Sequence, residues 1–185
     1  RDYMKITAEL IERSPQITNA LNERQLDLRG HKINQIENLG ATLDFFECID
    51  LSDNEIRKFG NFSFLERLTS LIIANNRIYK LSDCSDMLPN LQNLCLMTNK
   101  LIDLNEIDNL CNLTKLERLT LINNPIVEIK NYRSYVIYKI PSLRVLDFKK
   151  ISYEERKEAE QLFDKIIEKT GDKETTKNKP KKEKT

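Results

Sequence analysis

The 185-residue chain contains no tryptophan, four glycines, a single histidine and only three valines. So few glycines leave little material for a phosphate-cradling loop. Neither G-x-G-x-x-G nor G-x-x-x-x-G-K-[ST] occurs, so a nucleotide-dependent enzyme has no motif to rest on. The valine shortage counts against an ordinary β-sandwich or barrel. No run of about 18 apolar residues exists to span a membrane. Residues 1–25 are interrupted by charges every few positions and lack the apolar core of a signal peptide. The cysteines Cys48, Cys84, Cys95 and Cys111 form no C-x-x-C pair, and His31 lies far from all of them in sequence. That spacing suits neither a zinc site nor a disulfide framework. The expectation is a soluble intracellular protein with reduced, buried thiols. No metal, cofactor, small-molecule substrate or membrane is expected, and no catalytic residue, because the abundant carboxylates lack a paired histidine or a nucleophile motif.

What is abundant is leucine, isoleucine and asparagine: 25, 20 and 18 residues. A repeat accounts for them. The pattern L-x-x-L-x-L-x-x-N-x-L runs through Leu68, Leu71, Ile73, Asn76 and Ile78, then Leu91, Leu94, Leu96, Asn99 and Leu101, then Leu116, Leu119, Leu121, Asn124 and Ile126. Upstream, Phe46, Ile49, Leu51, Asn54 and Ile56 fit it, and Leu26, Leu28 and Ile33 begin it with His31 in the asparagine slot. The first strand residues 26, 49, 71, 94 and 119 are spaced by 23, 22, 23 and 25. This is a leucine-rich repeat, and the fold class is an α/β solenoid with a parallel concave sheet of five to six short strands. The asparagines Asn54, Asn76, Asn99 and Asn124 form a ladder, each amide both donating to and accepting from the backbone at a tight turn. Apolar residues at a spacing of three (59, 62, 65, 68 and 104, 107, 110, 113, 116) predict short 3₁₀ or tight helical turns on the convex side.

The ends need caps, because a terminal repeat exposes an apolar face. Residues 1–25 are read as a helical cap with its helix over 7–13, residues 26–131 as the repeats, and 132–151 as a capping unit. A C-terminal helix over 152–168 opens on a capping box of Ser152 and Glu155. It packs Ala159, Leu162, Phe163, Ile166 and Ile167 against the core. Residues 169–185 hold seven lysines against three acids and no aliphatic or aromatic side chain, so a disordered basic tail is expected. Its Lys179-Pro180-Lys181-Lys182-Glu183-Lys184 stretch has the composition of a nuclear address or a weak nucleic-acid contact, and equally of a solvated tail with no reader.

Function is expected on the concave face. The residue between the strand leucines gives the row Asp27, Asp50, Ile72, Cys95, Thr120, Asp147. Two positions on, the row is Arg29, Ser52, Ala74, Met97, Ile122, Lys149. Both rows are charged at the ends and apolar or small in the middle, which suits a protein partner and in particular an amphipathic helix. On the repeat alone, a phosphatase-regulatory or cytoskeletal adaptor fits as well as any other scaffold.

Particular segments narrow the choice. Residues 26–30 (LDLRG), 36–44 (IENLGATLD), 52–58 (SDNEIRK), 132–141 (YRSYVIYKIP) and 144–148 (RVLDF), with the opening 4–12 (MKITAELIE), resemble the A-prime family of the U2 small nuclear ribonucleoprotein over about residues 4–165. The resemblance implies a nuclear splicing component without enzymatic activity. Its concave face would hold a helix of an RNA-recognition-motif partner of the B-double-prime type, and it would meet a U2 RNA stem-loop mainly through that partner. Rim residues Arg29, Lys149 and Lys150 are the candidates for auxiliary RNA contacts, and Met4 corresponds to the family's first residue. The net charge of +1 agrees with this division of labour, since an independent RNA binder is distinctly basic.

Overall fold

The computed structural model describes residues 3–177, and the side chains of residues 3–169. The chain order is α1 (Ala8–Arg13), β1 (Gln16–Thr18), β2 (Arg24–Asp27), β3 (Cys48–Asp50), β4 (Lys58–Phe59), β5 (Ser70–Ile72), β6 (Lys80–Leu81), β7 (Asn93–Cys95), β8 (Arg118–Thr120), α2 (Tyr132–Lys139), β9 (Val145–Leu146), β10 (Lys149–Lys150) and α3 (Tyr153–Lys177). Six strands, β2, β3, β5, β7, β8 and β9, pair in parallel. β1 and β10 close the two ends antiparallel. The register is fixed by the strand leucines, Leu26, Ile49, Leu71, Leu94, Leu119 and Leu146, which lie opposite one another and are essentially buried.

Each ladder asparagine reaches back to the repeat before it. Asn99 accepts from the Ile78 N–H at 2.9 Å and donates to the carbonyls of Ile73 and Leu96 at 2.9 and 3.0 Å. Asn54, Asn76 and Asn124 accept from Ile33, Ile56 and Leu101 in the same way. This direction explains His31: the first repeat has no repeat before it, so its slot has no backbone to bridge, and Asn54 accepts from the His31 N–H instead. The residue before each ladder position is left-handed: Gly30, Asp53, Asn75, Thr98 and Asn123, with φ between 52° and 73°. Asparagine and aspartate tolerate that conformation better than other non-glycine residues. Asparagine fills this second slot as well in two of the five repeats, and glycine in one.

Three expectations for the convex side and the ends change. Residues 104–110 do form a 3₁₀ helix, but 59–68 do not: Lys58–Phe59 is a short strand paired with Lys80–Leu81, followed by irregular backbone with a bend at residues 66–67. The shared spacing of three buries Phe59, Phe62, Leu65 and Leu68 whichever local backbone is used. The N-terminal cap is a helix plus the hairpin strand β1, whose three residues are all exposed and act through their backbone. At the other end, α3 continues past residue 168 to Lys177, because propagating a nucleated helix gains a backbone hydrogen bond per residue without needing apolar burial. The expected tail beyond residue 177 lies outside the described residues.

The capping box forms, with the Glu155 N–H donating to Ser152 Oγ at 3.1 Å. Ala159 is buried and Phe163 stacks on Tyr138 with ring centroids 5.2 Å apart. Ile166 and Ile167, expected in the core, stay 42% and 57% exposed, since the helix has by then run beyond the repeats. Of the thiols, Cys48 and Cys84 are buried, Cys95 is half-buried and Cys111 is exposed; all are free. Burial pushes the Cys48 thiol up to about 12, with Glu23 and Asp50 adding to it, and the Cys84 thiol up to about 11.

Candidate functional site

Strand pairing sets Asp27, Asp50, Ile72, Cys95 and Thr120 in register across the concave face, as the repeat predicts. At the N-terminal end two carboxylates stand opposite each other, an arrangement that would destabilise the sheet unless neutralised. Arg29 does this. It donates to both Asp27 oxygens at 3.0 and 2.8 Å, and its Nε lies 3.6 Å from Asp50. The hydrogen bond from Arg29 holds the Asp27 carboxyl below its ordinary range. Asp50 and Ser52 are not open to solvent as expected. Both are buried, Asp50 accepting from the Ser52 N–H at 2.9 Å and Ser52 Oγ accepting from the Ala74 N–H at 3.2 Å.

The accessible part of the face is a groove of about 300 Å³ over the middle and C-terminal repeats. From the predicted row it takes Ile72, Cys95 and Thr120. Its other side is a row the sequence reading passed over, one position before each strand leucine: Cys48, Ser70, Asn93, Arg118 and Val145. The period of two would have found it, because positions flanking an inward leucine on both sides point outward. Ala74, Met97 and Ile122 stand half-buried on strand extensions beside the groove, outside its lining.

Both ends of the groove are closed by exposed apolar side chains from the caps. Leu21, in the β1–β2 hairpin turn, is 71% exposed, and Phe148 is 74% exposed. The same hairpin turn sends Glu23 across the sheet. It accepts from the hydroxyls of Thr69 and Ser70 at 2.9 and 2.7 Å and from Asn19 at 2.8 Å. Asn93 donates to Ser70 at 3.0 Å and completes a polar rim.

The C-terminal ends of the two rows need correction. Strand β9 stops at Leu146, and Asp147 and Phe148 are both left-handed, with φ of 52° and 63°, forming the two-residue turn into β10. Asp147 therefore leaves the concave row. Its carboxylate accepts from the Leu121 N–H at 2.6 Å and from the Tyr132 hydroxyl at 2.7 Å. It replaces the strand carbonyl that takes the equivalent N–H in the interior repeats, such as Leu96 N–H to the Thr120 carbonyl. Lys149 likewise sits in the antiparallel β10 rather than in the parallel row, beside Lys150, and both are exposed. Arg133 fixes this hairpin to α3, donating to the Leu146 carbonyl at 3.0 Å and to Glu155 at 3.0 Å. Phe148 is thus held on the surface in a backbone conformation that costs a bulky residue about 1–2 kcal/mol.

Among the described residues, no group of three or more His, Cys, Asp or Glu is placed to hold a metal ion, and no helix is long and apolar enough to cross a membrane. The arrangement offers an apolar trough with a polar rim.

Known proteins carry the same frame. The leucine-rich-repeat family matches residues 3–176. The U2 small nuclear ribonucleoprotein A' of Homo sapiens is 52% identical over 161 residues, covering 86% of this chain and 63% of that protein. That of Arabidopsis thaliana is 54% identical, with 86% and 65% covered. The chain thus spans less than two thirds of the length of these relatives. The Schizosaccharomyces pombe protein of the same name is 40% identical over 164 residues, with 88% of this chain and 69% of that one covered. Among solved structures, a chain of the Drosophila melanogaster SNF/U2A' complex is 45% identical and superimposes with a TM-score of 0.86, covering 90% of this chain and 99% of that one. Identity at this level across the repeats and both caps goes well beyond the generic repeat, and the chain belongs to the U2 small nuclear ribonucleoprotein A' family of leucine-rich-repeat proteins.

Proposed function

We propose that the protein is a non-enzymatic scaffold of the U2 small nuclear ribonucleoprotein, acting in the nucleus in pre-mRNA splicing. Its concave groove holds an amphipathic helix of an RNA-recognition-motif protein of the B-double-prime or SNF type. The observation that carries this reading is the trough itself: Ile72, Cys95 and Val145 on its floor, Leu21 and Phe148 at its ends, and Glu23, Asn93 and Arg118 around them. Apolar anchors within a polar rim are what a helix laid in a groove requires. The solved SNF/U2A' complex supports the same class of partner.

A U2 RNA stem-loop is met mainly through the partner, with auxiliary contacts from this chain. Lys149 and Lys150 are better placed for that role than Arg29, whose guanidinium is engaged by Asp27 and Asp50. The test is calorimetric titration of the partner into wild type and two variants. Ile72→Asp on the floor should weaken binding at least a hundredfold, because a carboxylate is then desolvated without a counter-charge. Met97→Lys, beside the groove, should weaken it less. Unchanged affinity for a folded Ile72→Asp protein would remove the trough as the docking site.

A further inference from the structure

The side opposite the parallel sheet carries a second groove, of about 650 Å³, that the reading above leaves unused. Asn34, Gln35, Arg57, Lys58, Asn61 and Tyr79 are among its lining residues. The convex pair β4–β6 builds its basic edge. Phe59 and Leu81 point into the core and are buried, so their neighbours Lys58 and Lys80, which are register partners, stand side by side on the outer surface. Paired strands lie about 4.8 Å apart, and like charges directly opposite one another destabilise a sheet. Among the described residues, Arg57, Lys58 and Lys80 have no ion-pair partner. Of the acids on neighbouring segments, Glu55 is paired with Arg77 at 3.2 Å, while Glu37 and Glu106 accept from the Gln35 amide at 2.9 Å and the Leu81 N–H at 2.7 Å and form no ion pair with these cations. Tyr79, joined to Arg57 through a backbone hydrogen bond of 3.1 Å, is 48% exposed and, among the described residues, stacks on no other ring.

Arg57 and Lys58 in the groove and Lys80 on the adjoining strand, none of them ion-paired among the described residues, together with an open phenol ring and side-chain amides are complementary to a single-stranded nucleic acid. The cations suit phosphates, the ring suits an unstacked base, and amides both donate to and accept from base edges. An acidic peptide would use the cations and leave the ring and amides without a role. A duplex would offer no free base face to the ring. We propose that this convex groove binds a short single-stranded segment of nucleic acid, independently of the concave face.

The probe is a fluorescein-labelled ten-nucleotide single-stranded RNA, followed by anisotropy at several salt concentrations with the full chain. Binding should weaken with salt at a slope of about −2, for roughly three phosphates neutralised on a single strand. Arg57→Glu/Lys80→Glu, which leaves Lys58 opposite a carboxylate and so does not weaken the fold, should lower affinity at least tenfold and flatten the slope by about 1.4. Tyr79→Ala should cost roughly five- to a hundredfold with the slope unchanged, the range found for a lost base stack. Ile72→Asp should have no effect. Absence of binding by the wild type at low salt would overturn the proposal. So would an Arg57→Glu/Lys80→Glu protein that binds like the wild type, since the lysines beyond residue 168 would then be the site. Equal competition by a polyglutamate peptide, with Tyr79→Ala neutral, would assign the groove to acidic protein instead.

Discussion

Replacing Asn99 by leucine adds apolar volume to a leucine-rich core, so a hydrophobicity argument predicts a gain. The hydrogen-bond account predicts a loss whose size can be worked out. Asn99 is 3% exposed, accepts from the Ile78 N–H and donates to the carbonyls of Ile73, Leu96 and Met97. Leucine satisfies none of these. The Leu96 carbonyl keeps the Asn124 amide at 2.8 Å and the Met97 carbonyl keeps the Asn75 N–H at 2.9 Å. The Ile78 N–H and the Ile73 carbonyl are the two groups left buried without a partner. At about 1–3 kcal/mol each this is roughly 2–6 kcal/mol. Burying the leucine side chain returns at most about 2 kcal/mol. Subtracting one from the other leaves a net loss centred on about 2 kcal/mol, a fall in melting temperature of about 4–8 °C for a chain of this size. Denaturant titration and thermal melting of Asn99→Leu beside His31→Leu provide the check. The His31 variant keeps the backbone bond to Asn54 and should lie within about 0.5 kcal/mol of wild type. If Asn99→Leu is as stable as wild type, or His31→Leu equally damaging, the backward-reaching ladder is not what ties the repeats together.

Three other outcomes follow from the caps. Phe148→Gly should stabilise the isolated protein by about 0.5–1 kcal/mol by relieving a left-handed turn, while weakening partner binding at least tenfold; denaturation and calorimetry on the same preparation separate the two effects. Asp147→Ala should cost about 1–3 kcal/mol because the Leu121 N–H loses its acceptor, whereas Tyr132→Phe should cost about 0.5–1.5 kcal/mol; equal losses would contradict the assignment. The hydrogen bond from Arg133 lowers the Glu155 carboxyl below its ordinary range, so its stabilisation is complete above about pH 4.3 and fades as pH falls through the lowered value. The stability difference between wild type and Glu155→Gln, measured from neutral pH downward, should shrink only below that point.

The repeats were legible because each slot of the pattern is a buried contact: Leu71, Leu94 and Leu119 meet in register, and no polar residue fits there. The less legible parts lack such a tie between side chain and position. β1 exposes all three of its residues, and its contribution is backbone pairing, which leaves no mark on hydropathy. Residues 59–68 kept the predicted burial but not the predicted backbone, since several backbones place every third residue inward. At the C-terminal end the repeat was extrapolated one strand too far. The left-handed pair Asp147 and Phe148 turned one predicted concave residue into a cap and an unremarked one into the end of the groove. The glutamate that bridges the N-terminal cap and the third repeat, Glu23, is 46 residues from Thr69, and lying outside the repeats it has no periodic slot to mark it.

The two antiparallel end strands have a consequence for how such a chain can change in length. Interior repeats present identical parallel edges above and below, so one more could be duplicated between β3 and β8 and find a matching ladder on both sides. The termini offer no such seat. β1 and β10 run the wrong way to continue the stack, and β10 ends the sheet on two lysines, which deter another copy from docking edge to edge. The span of the arc is therefore set by how many middle pieces lie between two unlike stoppers, and lengthening it by end-to-end polymerisation of copies is closed off.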